Sequence, residues 1–224
     1  MELSQNALSL SGRPTAAQGG RRHIFLRPDD DGVFVKVDRP EWTRKRGGWL
    51  KRLKRILLPN SDLRAVHAEA REARRTARRA ARRGVPNPLP RFHGYVETDL
   101  GLATQHERLR APDGSNAREL RAIWVQAGRI YDADLIPPLE ALMRQLLDLS
   151  VVVNDLHHGN IVVTQADGRT VMRLIDGYGD RAVIPLRTWF DAVNRRALHD
   201  RIARLGRKIG LRWDRRARRF VPAA

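Results

Sequence analysis

Three polar residues that could do chemistry lie between residues 151 and 180, each at the end of an apolar run. Asp155 comes shortly after three valines, Asn160 directly precedes Ile161, and Asp176 directly follows Ile175. Apolar, β-branched runs of this length predict short buried strands. Polar side chains at the ends of such strands are held on a rigid support and face a cleft. The pattern therefore predicts a site built from carboxylate and amide oxygens.

The chemistry that suits this set is phosphoryl transfer from a magnesium-bound triphosphate such as ATP. In that reaction Asp155 would orient or deprotonate the attacking hydroxyl, while Asn160 and Asp176 would hold Mg²⁺ on the triphosphate. The alternative is purely structural, with Asp155 and Asn160 capping turns and Asp176 opening a hairpin turn. A lone Asp-Gly favours the structural alternative, whereas the combined spacing favours the phosphotransferase.

The elements that must position these residues can be predicted from the same stretch. The run Val151 to Val153 predicts a strand, and residues 161–163 and 171–175 predict a hairpin with its turn at residues 166–168. Upstream, Pro137 and Pro138 open a predicted helix with a broad leucine-rich face. This helix would deliver the chain to the site.

The spacing of Asp155, Asn160 and Asp176-Gly177 resembles the catalytic and metal loops of the protein-kinase-like superfamily. Two other stretches, PRFHGYVETDLG at residues 90–101 and IPLRTW at residues 184–189, resemble the PhoP regulatory network protein YrbL family. The resemblance implies an α+β, bilobal protein-kinase-like fold, with a small antiparallel-sheet N-lobe and a mainly helical C-lobe.

The resemblance also predicts how the chain is divided. Residues 1–18 would be a flexible lead or a first strand, residues 19–109 the N-lobe and residues 110–224 the C-lobe. Residues 40–60 would be a basic amphipathic insertion in the N-lobe, because they read as an addition between a strand and the next helix.

Within the predicted N-lobe, the resemblance assigns nucleotide-binding roles. Lys36, on a predicted strand, would pair with the phosphates, and Gly19 and Gly20 would cover them, although the full glycine-rich pattern is missing. The backbone of Glu107 and Leu109 would hydrogen-bond adenine. The alternative for Lys36 is an ordinary strand-edge lysine that faces water.

The helix predicted from Ser61 or Asp62 to about Arg83 would carry the partner of Lys36. Glu69 and Glu72 are both available on one face, and Glu69 is preferred. The alternative is a surface Glu–Arg pair of little energetic consequence. The seven arginines between positions 71 and 83 predict a mostly solvated helix surface.

Composition predicts an anionic partner. The 224 residues include 43 Lys and Arg and carry a formal net charge of +18, which favours nucleotide, phospholipid or phosphorylated sugar as the partner. Nucleic acid is less favoured, because no aromatic residues that could stack on bases are interleaved with the arginines of the helix. Cysteine is absent, so disulfides and thiol chemistry are excluded. The sequence shows no signal-peptide pattern and no apolar run of membrane-spanning length, which predicts a cytoplasmic protein.

Two basic segments could bring the chain to a membrane surface. From Trp49, the apolar positions 49, 50, 53, 56 and 57 trace one helical face and basic residues occupy the other. This is typical of an interfacial helix, and equally of a face that packs on the small lobe. Residues 207–220 form a second basic cluster, interpreted as a tail on an anionic surface or as a solvated end.

The sequence departs from protein kinases around the site. Val153-Asn154 stand where kinases place His-Arg, the metal loop reads Asp-Gly-Tyr, and only about forty residues follow it. A peptide-binding platform has no room there, so a small molecule, sugar or lipid head group is the expected acceptor. His157 and His158 are adjacent and point apart, which makes a poor metal chelate. The alternative function is a nucleotide-binding pseudokinase with a regulatory role.

Overall fold

The computed structural model describes residues 7–18, 22–38, 61–128, 132–180 and 186–223, without the side chains of residues 18 and 61–65. Gly19, Gly20 and the basic segment 40–60 lie outside the described residues, so their roles stay predictions. The chain divides into two compact units, residues 1–70 with 91–108 and residues 71–90 with 109–224. The predicted domain limits at residues 19, 109 and 110 likewise remain predictions.

The first unit contains a five-stranded antiparallel sheet in the order β1-β2-β3-β5-β4. Its strands are β1 Ala17–Gln18, β2 Arg22–Arg27, β3 Asp30–Asp38, β4 Phe92–Thr98 and β5 Gly101–Glu107. Alternation in β3 buries Val33, Val35 and Val37, because successive side chains of a strand point to opposite faces. Lys36 therefore lies on the face opposite the valines, and it is half-buried.

Residues 7–18 pack on the sheet and end in β1, which agrees with a first strand, the second of the two predictions for this segment. Leu8 pairs with Thr98 in a parallel bridge, and Leu10 is fully buried in a cluster with Phe25 and Val35. The Asp99 carboxylate accepts hydrogen bonds from the backbone N–H groups of Leu10 (2.8 Å) and Ser11 (3.0 Å). A single buried leucine and one hydrogen-bonding carboxylate thus hold a segment of otherwise small polar residues.

The long helix α1 spans Ser61–Arg83, as predicted, and its last thirteen residues belong to the second unit. It ends at Gly84, whose φ of +62° is the left-handed conformation common after a helix. The remaining described helices are α2 Leu120–Gln126, a 3₁₀ turn Ala133–Leu135, α3 Ile136–Asp148, α4 Leu186–Trp189 and α5 Asp191–Lys208. The described strands of the second unit are β6 Arg118–Glu119, β7 Ile161–Ala166, β8 Arg169–Leu174, β9 Leu211–Asp214 and β10 Arg219–Pro222.

The predicted hairpin around Asp167 is confirmed, since β7 and β8 pair antiparallel across it. The predicted strand at Val151–Val153 is wrong. The three valines are buried, but only Val153 pairs, in an isolated bridge with Tyr178. Burial alone produces the apolar run, and its backbone groups are satisfied by partners outside any sheet.

The basic cluster at residues 207–220 is not a tail. It closes α5 and forms the antiparallel pair β9–β10, in which Trp213 and Phe220 are buried with their ring centroids 5.0 Å apart. A Cβ on Gly206 would lie 2.8 Å from the carbonyl oxygen of Leu211, so the helix and the hairpin are in close contact. Two aromatic side chains therefore anchor a segment whose charges dominate its composition.

The α+β prediction is confirmed: an antiparallel sheet forms the N-terminal part, and helices dominate the C-terminal part. The predicted order of elements is present as well: the strand that carries Lys36, the long helix and the β4–β5 hairpin precede the β7–β8 hairpin. None of the helices in the described ranges is long and apolar enough to cross a membrane.

Candidate active site

The β7–β8 hairpin brings the two predicted metal ligands to neighbouring strand ends. Ile161 opens β7 and pairs with Leu174, the last residue of β8. The Ile175 N–H donates to the carbonyl oxygen of Asn160 at 2.9 Å. Asn160 and Asp176 thus leave the same edge of the hairpin, one before the first strand and one after the second.

Asp155 is tied to the same edge through backbone hydrogen bonds. The Gly177 carbonyl accepts from the N–H groups of Asn154 (2.6 Å) and Asp155 (3.0 Å). The Asn160 side-chain amide donates to the Asp155 carbonyl at 3.1 Å. Because the nitrogen end of that amide is used here, the oxygen end is the one that can coordinate a cation.

Gly177 allows this close approach. Its φ is +79°, and a Cβ at this position would lie 2.4 Å from the Asp155 carbonyl oxygen and 3.0 Å from the Asn160 side-chain nitrogen. Its N–H donates to the Asp176 carboxylate at 2.6 Å, which fixes that side chain. Only glycine combines this conformation with this contact.

The Asp155 carboxylate is presented to solvent, with its side chain 70% exposed. His157 lies beside it, with Nε2 3.6 Å from Asp155 Oδ2. His157 Nδ1 accepts from the Gly159 N–H at 3.0 Å. A neutral ring would therefore carry its proton on Nε2, facing the carboxylate.

The rings of the two histidines lie edge to face, with centroids 6.4 Å apart and an interplanar angle of 84°. His158 stacks on Trp124 with ring centroids 5.9 Å apart. Burial lowers the pKa of His158, and the positive charges of His157, Arg121 and Lys208 lower it further. His158 is therefore a packing residue, whereas His157 is the one that lies beside the candidate site.

Arg187, on α4, hydrogen-bonds the segments on either side of the candidate site. This residue was missed by the sequence analysis. Its guanidinium donates to Asn154 Oδ1 (2.6 Å), Asp180 Oδ1 (3.2 Å) and the Val153 carbonyl (3.3 Å). Asn154 in turn donates to the Gly179 carbonyl. The guanidinium thus ties the residues before Asp155 to those after Gly177, and the IPLRTW stretch was the available signal.

Three arginines of α1 hold the segment that leads into the loop. Arg75 donates to the Ser150 carbonyl (2.9 Å), Arg79 to the Leu149 carbonyl (3.0 Å), and Arg83 to the Asp148 carbonyl. These carbonyls end α3, where a helix leaves its last acceptors unpaired and carries partial negative charge. The prediction of a mostly solvated surface is therefore wrong for these arginines, which repeat every four residues and cap α3.

Glu72 completes this contact. Its Oε1 accepts from the Val152 N–H (2.9 Å) and from Arg75 (2.7 Å), and its side chain is only 3% exposed. Burial raises the pKa of Glu72, although Arg75 opposes the shift. Glu72 belongs to the second unit, whereas Glu69 and Lys36 belong to the first. Glu69 therefore stays the predicted partner of Lys36.

In the first unit, β3 pairs Lys36 with Ile24 on β2 and with Thr104 on β5. The Glu69 side chain is buried, and its Oε2 lies 2.8 Å from the Arg22 guanidinium. Its Oε1 is 3.9 Å from His106 Nε2. Arg22, which sequence reasoning missed, supplies a cation to the buried carboxylate.

Part of the backbone of the segment predicted to bind adenine is hydrogen-bonded within the protein. The Glu107 N–H donates to the Arg91 carbonyl (2.8 Å), and the Leu109 carbonyl accepts from the Ala117 N–H (2.9 Å). This role stays a prediction.

The residues present fit a magnesium ion. An amide oxygen and a carboxylate, from Asn160 and Asp176, are the hard oxygen donors that Mg²⁺ prefers, and phosphate oxygens commonly complete its shell. Within the described ranges, no group of three or more His, Asp or Glu side chains could hold a metal alone. The ion would therefore bind together with a phosphate ligand.

Comparison with known proteins places the chain in a family. The model of the PhoP regulatory network protein YrbL family matches residues 8–210. The uncharacterized protein YrbL of Escherichia coli K12 is 32% identical over 103 residues, which cover 45% of this chain and 49% of that protein. YrbL of Shigella flexneri matches equally. The chain thus spans about half the length of the curated relatives it matches.

The solved structures that align with part of this chain include a kinase domain. Rad53 residues 1–466 in complex with AMP-PNP aligns at 13% identity and a TM-score of 0.45, over 74% of this chain and 38% of Rad53. A mutant form of the PknI kinase domain of Mycobacterium tuberculosis aligns at 16% identity and a TM-score of 0.40, over 73% of this chain and 57% of that one. TM-scores below 0.5 carry no argument about activity. The family model, in contrast, matches residues 8–210, and this match shows that the chain belongs to the PhoP regulatory network protein YrbL family.

Proposed function

We propose that the protein is a kinase-like phosphotransferase that moves the terminal phosphoryl group of ATP to a hydroxyl group. The observation that carries the proposal is the gathering of Asp155, Asn160 and Asp176 around Gly177 at one edge of the β7–β8 hairpin. A turn-forming role explains each residue singly. It does not explain why hydrogen bonds hold Asp155, Asn160 and Asp176 together at the same edge of the hairpin.

In this proposal each side chain has one task. Asp155 orients the acceptor hydroxyl and takes its proton as the phosphoryl group arrives. His157, 3.6 Å away, holds that carboxylate in place. Asn160 and Asp176 would bind Mg²⁺, which supplies charge neutralisation for the phosphates when bound.

The first unit contributes the phosphate-binding side chains in the same proposal. Lys36 holds the phosphates, and Glu69 orients the lysine. Gly19 and Gly20 cover the phosphates. The Arg22 guanidinium lies 2.8 Å from Glu69, a contact that the sequence did not predict and that the proposed pair of Lys36 and Glu69 must allow. One carboxylate can accept from two cations, so the two contacts are compatible.

The base of the nucleotide is the next element of the proposal. Adenine would bind to the backbone of Glu107 and Leu109. Backbone groups suit this role, because adenine presents a donor and an acceptor on one edge.

The acceptor class is proposed from the charge of the chain. A net charge of +18 favours an anionic acceptor, such as a phosphorylated sugar or a lipid head group. A cytoplasmic protein with a peripheral position at the inner membrane face fits this acceptor, and the basic segment 40–60 is the proposed contact. Nucleic acid is the less favoured anionic partner.

A second candidate function is a pseudokinase that binds nucleotide and acts as a regulatory partner. Two sequence features favour it: the glycine-rich pattern is reduced to Gly19 and Gly20, and Val153-Asn154 replace His-Arg before Asp155. Both functions require the nucleotide site, and only the first requires Asp155 as a reacting group.

The test compares Asp176→Asn with Asp167→Asn, which lies at the exposed turn of the same hairpin and has a φ of +50°. Asparagine tolerates that conformation, so the control conserves the turn. Saturating Mg·ATP should raise the Tm of the wild type and of Asp167→Asn by about 5 °C or more, and of Asp176→Asn by far less. An unchanged wild-type Tm would remove the nucleotide site and both functions with it. ATP turnover by Asp155→Asn, compared with the same control, separates catalyst from binder.

A further inference from the structure

Four large apolar side chains are exposed along α4, the residue after it and the start of α5. Leu186, Trp189, Phe190 and Val193 have exposed fractions of 48%, 63%, 55% and 47%. They lie within eight consecutive residues, and the extended backbone of Phe190 separates the two helices. We call these four residues the apolar stripe. Monomeric proteins rarely expose such a contiguous set unless it contacts something.

The other two residues of α4 are hydrogen-bonded within the second unit. Arg187 and Thr188 both hydrogen-bond the Asp180 carboxylate, at 3.2 and 3.4 Å. The helix is therefore held in place from within the second unit, and its outer side chains are presented on a fixed support. A loosely held segment therefore does not explain why these apolar side chains are exposed.

An arginine-lined cleft adjoins the stripe on α5. This open cleft of about 500 Å³ is lined by Ala192, Arg195, Arg196, His199 and Arg215. Val193, in the stripe, and Arg196, in the cleft, are three residues apart on the same helix, so the apolar and basic groups form one continuous surface. Asp200 is the carboxylate paired with Arg215, at 2.5 Å.

The surface around this cleft is strongly positive. Residues 191–223 contain eleven Arg and Lys and only three Asp. Burial lowers the pKa of His199, and the positive charges of Arg215, Arg218 and Arg195 lower it further, against a smaller opposite effect of Asp200. The Trp213 indole N–H donates to His199 Nδ1 at 2.9 Å, which suits the neutral ring. Because three of the residues that line it are arginines, the cleft is suited to a phosphate group.

We propose that the apolar stripe and the arginine-lined cleft dock the protein on an anionic lipid bilayer. Tryptophan, phenylalanine, leucine and valine would enter the boundary between head groups and acyl chains, while Arg195, Arg196 and Arg215 bind lipid phosphates. This division of apolar and basic groups is that of interfacial membrane-binding surfaces. The proposal goes beyond the phosphotransferase and does not depend on it.

A bilayer fits this surface better than nucleic acid does. Single-stranded nucleic acid uses exposed aromatic rings for base stacking, but leucine and valine have no ring to stack and would stay exposed. An apolar bilayer interior accepts aliphatic and aromatic side chains alike. A second copy of the chain is the other way to cover the stripe, but it would bring two strongly positive surfaces together.

The experiment measures binding of the full chain, without nucleotide, to vesicles of phosphatidylcholine alone and of phosphatidylcholine with about 30 mol % phosphatidylglycerol. The stripe variant is Trp189→Ala with Phe190→Ala. Its matched control is Val125→Ala with Leu102→Ala, which truncates apolar side chains that are 73% and 45% exposed elsewhere. The stripe variant should lose at least about tenfold in affinity for anionic vesicles, and its control should lose none.

The cleft is tested separately. Arg195→Gln with Arg196→Gln should weaken binding to anionic vesicles about 30-fold and leave binding to phosphatidylcholine alone unchanged, because each arginine acts through the surface charge. The control is Arg78→Gln with Arg82→Gln, two exposed arginines of α1. Trp189→Phe should retain binding, since it keeps an aromatic side chain in the stripe.

Three results would overturn the proposal. The first is unchanged vesicle binding by the stripe variant, even if the chain binds through residues 40–60. The second is that the wild type binds RNA or DNA but not vesicles, and that the cleft substitutions abolish this nucleic-acid binding. The third is a wild-type dimer in light scattering that the stripe variant converts to a monomer. A far-ultraviolet circular dichroism spectrum equal to that of the wild type establishes that each variant is folded.

Discussion

The two sides of helix α4 (Leu186–Trp189) show opposite uses of a few consecutive residues. On the inner side, Arg187 makes three hydrogen bonds to the loop on either side of Asp155 and Gly177. On the outer side, Leu186 and Trp189 are 48% and 63% exposed. The charged side chain is thus the structural one and the apolar side chains are the exposed ones, which reverses the usual expectation.

The arginines of the second unit divide in the same way. Arg75, Arg79 and Arg83 bind the last carbonyls of α3, where they stabilise the approach to the site. Arg195 and Arg196 line an open cleft. The net charge of +18 therefore includes arginines that bind carbonyl groups within the protein as well as arginines that line an open cleft.

The largest expected effect is in the loop that Arg187 supports, at Gly177. Gly177→Ala would place a Cβ 2.4 Å from the Asp155 carbonyl oxygen, so the loop must move and the phosphotransferase rate should fall about 100-fold or more. Gly168→Ala is the matched control, because its φ is +70° and nothing lies within 4 Å of the added Cβ. Equal rates for the two variants would show that the close approach at Gly177 has no part in activity.

Arg187→Met and Trp189→Ala test the two sides of α4 directly. Removing the guanidinium leaves the buried Asp180 carboxylate and Asn154 without this partner, so the free energy of unfolding should fall by about 3 kcal/mol. Truncating the exposed Trp189 should change it by no more than about 0.5 kcal/mol. Urea unfolding of both variants measures the difference, and a larger loss at Trp189 would reverse the comparison.

Glu72→Ala should cost about 2 kcal/mol of unfolding free energy, because the Val152 N–H is left buried without an acceptor. Glu72→Gln should cost less, since its amide oxygen can still accept this hydrogen bond. Burial raises the pKa of Glu72 above its usual value of 4.5, so the folded state binds more protons than the unfolded state between the two pKa values. Stability of the wild type should therefore fall as pH rises through this interval, and Glu72→Gln should lack that component.

The smallest effect is expected at Asp99, an exposed carboxylate that is nevertheless structural. Hydrogen bonds from the backbone of Leu10 and Ser11, with a side-chain contribution from Ser11, lower its pKa to about 2. The stabilisation is present above the unfolded pKa of roughly 3.9 and is lost as pH falls towards the folded value. A ¹³C titration of the Asp99 carboxyl measures the pKa, and a midpoint near that unfolded value would show that residues 9–11 are not held by it. Asp99→Asn should remove this pH dependence.

Much of the fold could be predicted because its signals are local. The strand alternation of β3, the turn at Asp167 and the alanine- and arginine-rich helix α1 each depend on residues near one another in sequence. The spacing of Asp155, Asn160 and Asp176 was informative for the same reason, since one hairpin and its flanking turns determine where these side chains lie.

The features that could not be predicted depend on distant partners. The valines at 151–153 read as a strand because a buried irregular segment and a buried strand share one composition. Their hydrogen bonds go to Glu72 and to Gly179, remote positions that no local pattern reveals. Arg187 and Arg22 were missed likewise, because an arginine that binds a buried carboxylate looks like any other in a chain with 43 Lys and Arg.

The most direct test of the central claim is the single-turnover rate at which the terminal phosphoryl group leaves Mg·ATP, compared between Asp155→Asn and Asp167→Asn. The phosphotransferase account predicts that Asp155→Asn loses about 100-fold or more while still binding Mg·ATP, and that Asp167→Asn matches the wild type. Equal rates for Asp155→Asn and the wild type would contradict the account, and so would a wild type that binds Mg·ATP without turning it over.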